Sequence, residues 1–257
     1  MRILFSCLLI GTGIFSAQAQ FVCFSDSLAI YEFPGTKLPP MEGAAIFDVE
    51  GYTVVVGGKF TNTENADEEG IYNCDVLILD LKADKTFALP LSYFPPGVAD
   101  QFSAAHYCYT TDKDTAYILG GYGFDWGASY QTTFPMMTIF PLKTLIDSVV
   151  QQKDYFDLFE MVYDSRLAIT EGNLVRIGSD FLAYDGREIT PIMDENTDGA
   201  TMNEWNFKGQ LRKFTLKNTE GYREVDEFQV CYNSEVFYQC MPDKWRPPTF
   251  HTEKRNR

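Results

Sequence analysis

Residues Tyr52 to Phe60 read Tyr-Thr-Val-Val-Val-Gly-Gly-Lys-Phe, a β-branched run that stops at two glycines. Such runs favour strands, and a glycine pair allows backbone angles that other residues adopt only at a cost. The pattern returns at Ile118-Leu119-Gly120-Gly121, and Phe181-Leu182-Ala183-Tyr184-Asp185-Gly186 has Asp-Gly in place of the glycine pair. Successive marks are 63 and 65 residues apart, so the sequence predicts a repeat architecture.

The predicted fold is all-β, with three four-stranded units at 41–92, 101–152 and 170–232 and the start of a fourth at 247–257. Four short antiparallel strands joined by hairpins have the size of one propeller blade. A propeller closes its ring with roughly 4 to 8 blades. We therefore expect a truncated chain, a part of a longer protein, or an open array that needs another chain.

Within each unit, alternating and apolar runs bounded by turn residues predict the strands. The predicted strands are residues 44–49, 52–56, 75–79 and 86–91 in the first unit, 103–109, 115–119 and 136–140 in the second, and 173–177, 181–184, 210–216 and 224–232 in the third. The stretch 142–150, where the fourth strand of the second unit is expected, fits a helix as well as a strand. Residues 122–130 are predicted to form a loop.

The charge balance excludes two classes of partner. The chain has 36 Asp and Glu against 21 Lys and Arg, a formal net charge of −15. Nucleic acids and anionic membranes attract basic surfaces, so neither is expected as a partner.

The first residues predict an export signal. Arg2 precedes a largely apolar stretch, and Ala17-Gln18-Ala19 matches the small-x-small cleavage pattern. We expect residues 1–19 to be removed, which leaves a secreted or extracytoplasmic domain over 20–257 that starts near Gln20. No later run approaches the roughly 18 to 20 apolar residues that a transmembrane segment needs.

Five cysteines remain after removal of the signal: Cys23, Cys74, Cys108, Cys231 and Cys240. Their dispersed spacing does not match zinc ligands. An oxidising compartment allows one or two disulfides, with Cys231 and Cys240 as the favoured local bridge. Buried free thiols are the alternative.

The repeated order of strand, hairpin, apolar strand, glycine pair, variable loop and acidic-apolar strand resembles a kelch repeat. Tyr72-Asn73-Cys74-Asp75-Val76 is similar to the third-strand entry of that family, and Phe87 stands where the family has a tryptophan. The second and third units lack such an equivalent. The resemblance covers most of residues 38–232 and extends to secreted kelch-repeat proteins of Bacteroidetes-type bacteria. It implies a galactose-oxidase-like β-propeller and little about the substrate.

No catalytic residue can be named from the sequence. His106 and His251 each fall in the opening strand of a predicted unit, which favours structural hydrogen bonding over catalysis or metal binding. The copper oxidases among kelch proteins need paired histidines and a tyrosine cross-linked to a cysteine, and that set cannot be assembled here. Nucleophile-elbow and zinc-protease motifs are also missing from the sequence.

One stretch resembles half of a calcium-binding loop. Asp194, Asn196 and Asp198, followed by Gly199, place alternate oxygen ligands as calcium loops do. The twelfth position, where a bidentate Glu is expected, is Trp205. Calcium is therefore the one candidate cofactor, and a solvated acidic loop is the alternative.

A second stretch offers aromatic side chains for recognition. Tyr122, Phe124, Trp126 and Tyr130 lie close together in the second unit. Aromatic rings on loops at one end of a β scaffold can bind a sugar or a peptide, and they can also fill gaps between sheets.

These observations favour a secreted binding module that recognises a protein or carbohydrate through its loops. A carbohydrate-active or oxidase-type propeller enzyme is the first alternative, and a structural surface component is the second. The fold alone does not choose among them.

Overall fold

The computed structural model describes residues 30–61, 71–192, 201–207 and 209–232. Within these ranges the helices are α1 Pro96–Phe102 and α2 Leu142–Val150, with 3-10 turns at Leu91–Tyr93, Phe156–Leu158 and Ser165–Leu167. In chain order the strands are β1 Tyr31–Pro34, β2 Met41–Glu42, β3 Ala45–Val49, β4 Tyr52–Val56, β5 Lys59–Phe60, β6 Ile71–Tyr72, β7 Asp75–Asp80, β8 Lys85–Pro90, β9 Cys108–Asp112, β10 Thr115–Leu119, β11 Tyr122–Asp125, β12 Tyr130–Thr133, β13 Met136–Pro141, β14 Glu160–Tyr163, β15 Asn173–Ile177, β16 Asp180–Tyr184, β17 Arg187–Ile192, β18 Thr201–Asn206, β19 Gln210–Thr219 and β20 Tyr222–Tyr232.

Three sheets share one topology, in which four antiparallel strands follow one another both along the chain and across the sheet. Sheet 1 is β3-β4-β7-β8 with β1 added beside β8, sheet 2 is β9-β10-β13-β14, and sheet 3 is β15-β16-β19-β20. The predicted all-β class is confirmed.

Each sheet carries an additional hairpin between its second and third strands. The first hairpin is β5–β6, to which β2 adds a third strand; the second is β11–β12, and the third is β17–β18. The predicted loop at residues 122–130 therefore belongs to a paired hairpin. In the first and third hairpins, residues 62–70 and 193–200 lie outside the described part of the chain.

The β-branched run of β4 is apolar on both faces because both faces are covered. Val54 and Val56 belong to one hydrophobic cluster and Val55 to another on the opposite face. A strand buried on both sides shows continuous rather than alternating hydrophobicity, which explains this sequence pattern.

The two main hydrophobic clusters lie between neighbouring sheets. One joins sheets 1 and 2 and includes both helices, and there the Phe47 and Tyr109 ring centroids are 5.3 Å apart. The other joins sheets 2 and 3, where Tyr117 and Phe181 are 5.0 Å apart. The first strands β3, β9 and β15 are in contact in that order. Sheet 2 thus contributes one face to each cluster.

The glycine pairs have the same backbone in all three sheets. The first residue of each pair has a φ of 61° at Gly57, 66° at Gly120 and 56° at Asp185. The second, a glycine each time, has a φ between 90° and 94°. We call these positions junctions 1, 2 and 3. The sequence marks therefore correspond to one repeated left-handed turn, including the Asp-Gly variant.

Close packing explains why junctions 1 and 2 begin with glycine. A Cβ on Gly57 would lie 2.4 Å from the Ala104 carbonyl oxygen, and one on Gly120 would lie 1.8 Å from that of Ile169. Both carbonyls belong to the segment that leads into the next sheet, and they accept hydrogen bonds from the N–H groups of Gly58 and Gly121 at 2.8 and 2.9 Å.

Junction 3 tolerates a side chain because the described residues provide no such neighbour for Asp185. Only the left-handed conformation remains as a constraint, and Asp adopts it more readily than most residues. The Asp185 carboxylate also accepts a hydrogen bond from the Gly209 N–H at 2.7 Å.

Two parts of the second unit differ from the prediction. Residues 142–150 form α2, because Leu142, Leu145, Ile146 and Val149 recur at helical spacing and are buried together. The fourth strand of sheet 2 is β14 instead. The predicted strand at 103–109 begins only at Cys108, since the residues before it end α1 and pass through a left-handed His106.

Cys231 is fully buried and disulfide-bonded. Its partner is neither Cys74 nor Cys108, because both are thiols. Burial raises the pKa of the Cys108 thiol to about 12, which makes it unreactive. Cys23 and Cys240 lie outside the described residues, as do the predicted signal peptide 1–19 and the segment 247–257.

No helix among the described residues combines the length and the hydrophobicity required to cross a membrane.

Candidate functional site

The hairpins collect at one end of the molecule. In an antiparallel meander, the connection between the second and third strands and the exit from the fourth strand lie at the same end of the sheet. The three hairpins and the segments that lead into β9 and β15 therefore share this end, which we call the hairpin end. The opposite end carries the turns within the β3–β4, β9–β10 and β15–β16 pairs.

Hydrogen bonds join the hairpins to one another and to the entering segments. Ala105 and Tyr122 exchange main-chain bonds of 3.0 and 2.8 Å, and an equivalent bridge precedes the third hairpin. Between the second and third hairpins, the Ile189 N–H donates to Thr133 Oγ1 at 2.8 Å. These two hairpins thus form one continuous surface.

A second set of main-chain bonds crosses all three units where the first strands begin. Gly43, His106 and Glu171 are left-handed, with φ of 67°, 60° and 59°. The His106 N–H donates to the Gly43 carbonyl at 2.7 Å, and the Glu171 N–H donates to the His106 carbonyl at 2.8 Å. We call this the backbone belt. His106 thus takes part in this belt through its main chain, and it precedes β9 rather than lying in the opening strand that the sequence predicts.

The predicted aromatic set divides between two faces of the second hairpin. Tyr122 and Phe124 share one face, where the Tyr122 hydroxyl donates to Gln131 Oε1 at 2.9 Å. The Trp126 ring packs edge-on against Phe124 with centroids 4.7 Å apart and remains 68% exposed. The register places Tyr130 on the other face. The structure therefore brings three of the four predicted residues together.

The turn that presents Trp126 is firmly held. Asp125 Oδ1 accepts from the Ala128 N–H at 2.8 Å, and its carbonyl accepts from the Ser129 N–H at 2.7 Å. At the base of the hairpin, a Cβ on Gly123 would lie 2.7 Å from the Ala104 Cβ, so the strand packs directly on the segment that follows α1. The backbone that carries Trp126 is thus held in place by the turn.

Two carboxylates lie beside this turn. Burial raises the pKa of Asp100 in α1, and the negative charge of Asp125 raises it further. Neither carboxylate forms an ion pair with any residue that the structure describes. Asp125 pairs with Tyr130 across the hairpin, so its carboxylate lies on the face opposite Phe124 and makes that face negative.

A fully buried amide attaches α1 to sheet 2. The Gln101 side chain donates to the carbonyls of Gly120 and Met136 at 3.0 and 3.1 Å and accepts from the Thr138 hydroxyl at 2.6 Å. Its two ends are satisfied inside the protein, so it holds the helix and the second hairpin in a defined relation.

The third hairpin presents an aromatic residue that the sequence interpretation missed. Trp205 in β18 is 59% exposed and pairs across the hairpin with Glu188. Burial raises the pKa of the Glu188 carboxyl. The sequence pattern presents Trp205 only as the departure from a calcium loop, and the pairing of β17 with β18 places it on a hairpin.

Arg187 in the third hairpin pairs with two carboxylates. Arg187 donates to Glu204 Oε1 at 3.0 Å and to Glu171, so the carboxylate adjacent to the twelfth position of the predicted calcium loop is already engaged. The predicted ligands Asp194, Asn196 and Asp198 lie outside the described residues. Within the described ranges, no group of three His, Cys, Asp or Glu is placed to hold a metal ion.

No family model and no curated protein matches the chain. Among solved structures, a comparison finds YjhT with a TM-score of 0.39 and 14% sequence identity, covering 75% of this chain and 46% of YjhT. The chain thus spans about half the length of that protein. A likeness at this level bears on neither the fold nor the function.

Proposed function

We propose that the chain is part of a secreted kelch-type β-propeller that binds a protein or a carbohydrate through the hairpin end. Trp126 carries the proposal, because it is a large, exposed aromatic side chain on a turn that is hydrogen-bonded into place.

The propeller assignment is supported by the way in which the sheets succeed one another. Three meanders of identical topology follow in chain order, their first strands are neighbours, and a hydrophobic cluster fills each space between them. Blades of a propeller have this order around the ring axis. The recurring left-handed pairs at the junctions match the glycine pairs on which the kelch resemblance rests.

Secretion is supported by the state of Cys231. Disulfides form and persist mainly in oxidising compartments, and the bond at Cys231 is consistent with the export signal predicted over residues 1–19.

The binding role is supported by the surface around Trp126. Tryptophan offers a large rigid face at a low cost in conformational entropy, and its ring can stack on a sugar or on an apolar side chain of a peptide. Trp205 extends the aromatic character to the third hairpin, which is bonded to the second.

The proposal is tested by measuring Kd of the full chain for a panel of neutral polysaccharides and extracellular proteins, using wild type and Trp126→Ala. We expect at least one ligand in the panel to bind, and the variant to bind it about tenfold or more weakly. Tyr222→Ala is the matched control, because Tyr222 is 55% exposed at the opposite end. Equal binding by wild type and Trp126→Ala, or no ligand in either class, contradicts the proposal.

A further inference from the structure

The face of the third hairpin that carries Trp205 lies next to a buried arginine of sheet 3. Glu188 pairs with Trp205 across the hairpin, so the two side chains share this face. Phe207 follows Trp205 by two residues and continues the pairing through its N–H bond to the Gly186 carbonyl at 2.9 Å, which puts its ring on the same side. The centroid of that ring is 3.7 Å from Cζ of Arg212 in β19. The hairpin face and the guanidinium therefore border each other.

Arg212 is nearly enclosed but only partly bonded. The residue is 8% exposed, and the Phe207 ring covers one face of its guanidinium. Its Nε donates to Gln210 Oε1 at 2.9 Å, and its Nη1 donates to the carbonyls of Arg166 and Ala168 at 3.1 and 2.9 Å. Its Nη2 has no acceptor among the described residues. One edge of the guanidinium thus keeps hydrogen-bond donors for another group.

Glu188 supplies the opposite charge without bonding to that edge. Burial raises the pKa of the Glu188 carboxyl and the Arg212 charge lowers it, so the two groups are close enough to interact. Neither of them takes part in an ion pair within the described ranges of the chain. A donor and an acceptor of opposite charge are therefore both available beside Trp205.

This combination selects a neutral ring that carries hydroxyl groups. A hydroxyl can accept a hydrogen bond from a guanidinium or donate one to a carboxylate, so neighbouring hydroxyls satisfy both groups at once. Trp205 is 59% exposed and offers an aromatic surface to the apolar face of such a ring. Glu188 and the net charge of −15 repel an anionic ligand, and Arg212 repels a cationic one.

We propose that Trp205, Glu188 and Arg212 form a subsite for a neutral sugar unit at the hairpin end. Arg212 Nη2 donates to one hydroxyl, the Glu188 carboxylate accepts from a neighbouring hydroxyl, and the Trp205 ring stacks on the sugar. The inference rests on the proposed binding role of the hairpin end and narrows its ligand to a carbohydrate.

Titration calorimetry of the full chain with a soluble neutral glucan, galactan, mannan and xylan tests the subsite. We expect at least one of them to bind, and Trp205→Ala and Glu188→Ala each to raise its Kd about tenfold or more. Glu204→Ala is the matched control and should leave Kd unchanged, because Glu204 lies on the opposite face of the same hairpin, paired with Arg187. Trp205 is exposed and Glu188 is unpaired in the described chain, so both variants should fold, which unchanged melting temperatures verify.

The outcomes separate this subsite from the proposed function. If Trp126→Ala weakens binding and the Trp205 and Glu188 variants do not, the subsite is overturned and the proposed function stands. The same conclusion follows if a protein binds and no neutral polysaccharide does. Tighter binding of polygalacturonate than of the neutral polysaccharides also overturns the subsite, because the guanidinium would then take a carboxylate. If no ligand of either class binds, both proposals are contradicted.

Discussion

Junctions 2 and 3 hold the same backbone in different surroundings. At junction 2, Gly120 lies against the carbonyl of Ile169 and is restricted by both its φ and its neighbour. At junction 3, Asp185 has nearly the same φ and a side chain, because the described chain places no carbonyl against it. Glycine can be required at a junction either because φ is left-handed or because a side chain would collide with a neighbour. Junction 2 imposes both requirements, and junction 3 imposes only the first.

The largest expected effect comes from adding a methyl group at junction 2. Gly120→Ala should lower the free energy of unfolding by about 3–5 kcal/mol, because the left-handed φ is unfavourable for Ala and the Cβ overlaps a backbone oxygen that cannot move freely. Chemical denaturation measures it. A loss below about 1 kcal/mol would mean that the two sheets separate readily at this point.

Junction 1 should differ from the others in its response to pH. Asn73 donates to the Gly57 carbonyl at 3.2 Å and to the Asp75 carbonyl at 2.8 Å, which places Asp75 beside this junction. Burial raises the pKa of the Asp75 carboxyl from 3.8 to about 6. The neutral Asp75 carboxyl therefore contributes fully to the free energy of unfolding below about pH 4. This contribution is lost as the pH rises through 6, because the folded state must then bury a charge.

Asp75→Asn should accordingly stabilise the protein by about 1–2 kcal/mol at pH 8 and leave it unchanged near pH 3. Thermal denaturation at the two pH values is the measurement, with Asp185→Asn as the control, since that carboxylate is bonded to a main-chain N–H. A gain of equal size at both pH values would show that charge burial is not the cause.

At junction 3, the stability of the protein should depend more on the Asp185 side chain than on the packing around it. Asp185→Ala should cost about 1–2 kcal/mol, because it removes the bond to the Gly209 N–H and puts Ala in a left-handed conformation. Asp185→Gly keeps the conformation and loses only the bond, so it should cost less. If the two variants were equally destabilised in urea, backbone conformation would not be the restriction at this position.

The smallest effect is expected at the hydroxyl that lines junction 1. Tyr107 donates to the carbonyls of Gln101 and Ala104 at 2.8 and 2.6 Å. Both carbonyls also accept main-chain bonds, so Tyr107→Phe leaves neither unsatisfied and should cost about 1 kcal/mol. A loss like that of Gly120→Ala would indicate that the hydroxyl maintains the approach of sheets 1 and 2.

The sequence was most informative where the cause of a structure is local. The strands β4 and β10 match their predicted bounds because β-branched runs and glycine stops act within a few residues. The helix α2 could not be separated from a strand, since nine residues with apolar positions on one side suit either until the neighbouring sheet is known. Likewise, the segment before β9 contains strand-forming residues, but it follows directly on the end of α1 and includes His106 in a left-handed conformation, so the strand begins only at Cys108.

The candidate site was predicted in part for a similar reason. The cluster of Tyr122, Phe124 and Trp126 follows from residues close in sequence. Tyr130 is excluded by the hairpin register, and Trp205 is added by the bond between two hairpins more than 50 residues apart. Pairing of this kind depends on tertiary contacts, which a repeat pattern alone does not specify.

The backbone belt has a consequence for the order of folding. Each of its bonds runs from a later residue to a carbonyl presented by the preceding unit, so the N–H of His106 needs Gly43 in place, and the N–H of Glu171 needs His106. A chain that emerges N-terminus first can therefore use each finished unit as a template for the next. When the units fold in this order, the carbonyl acceptor of each belt bond is already in place before its N–H donor is synthesised.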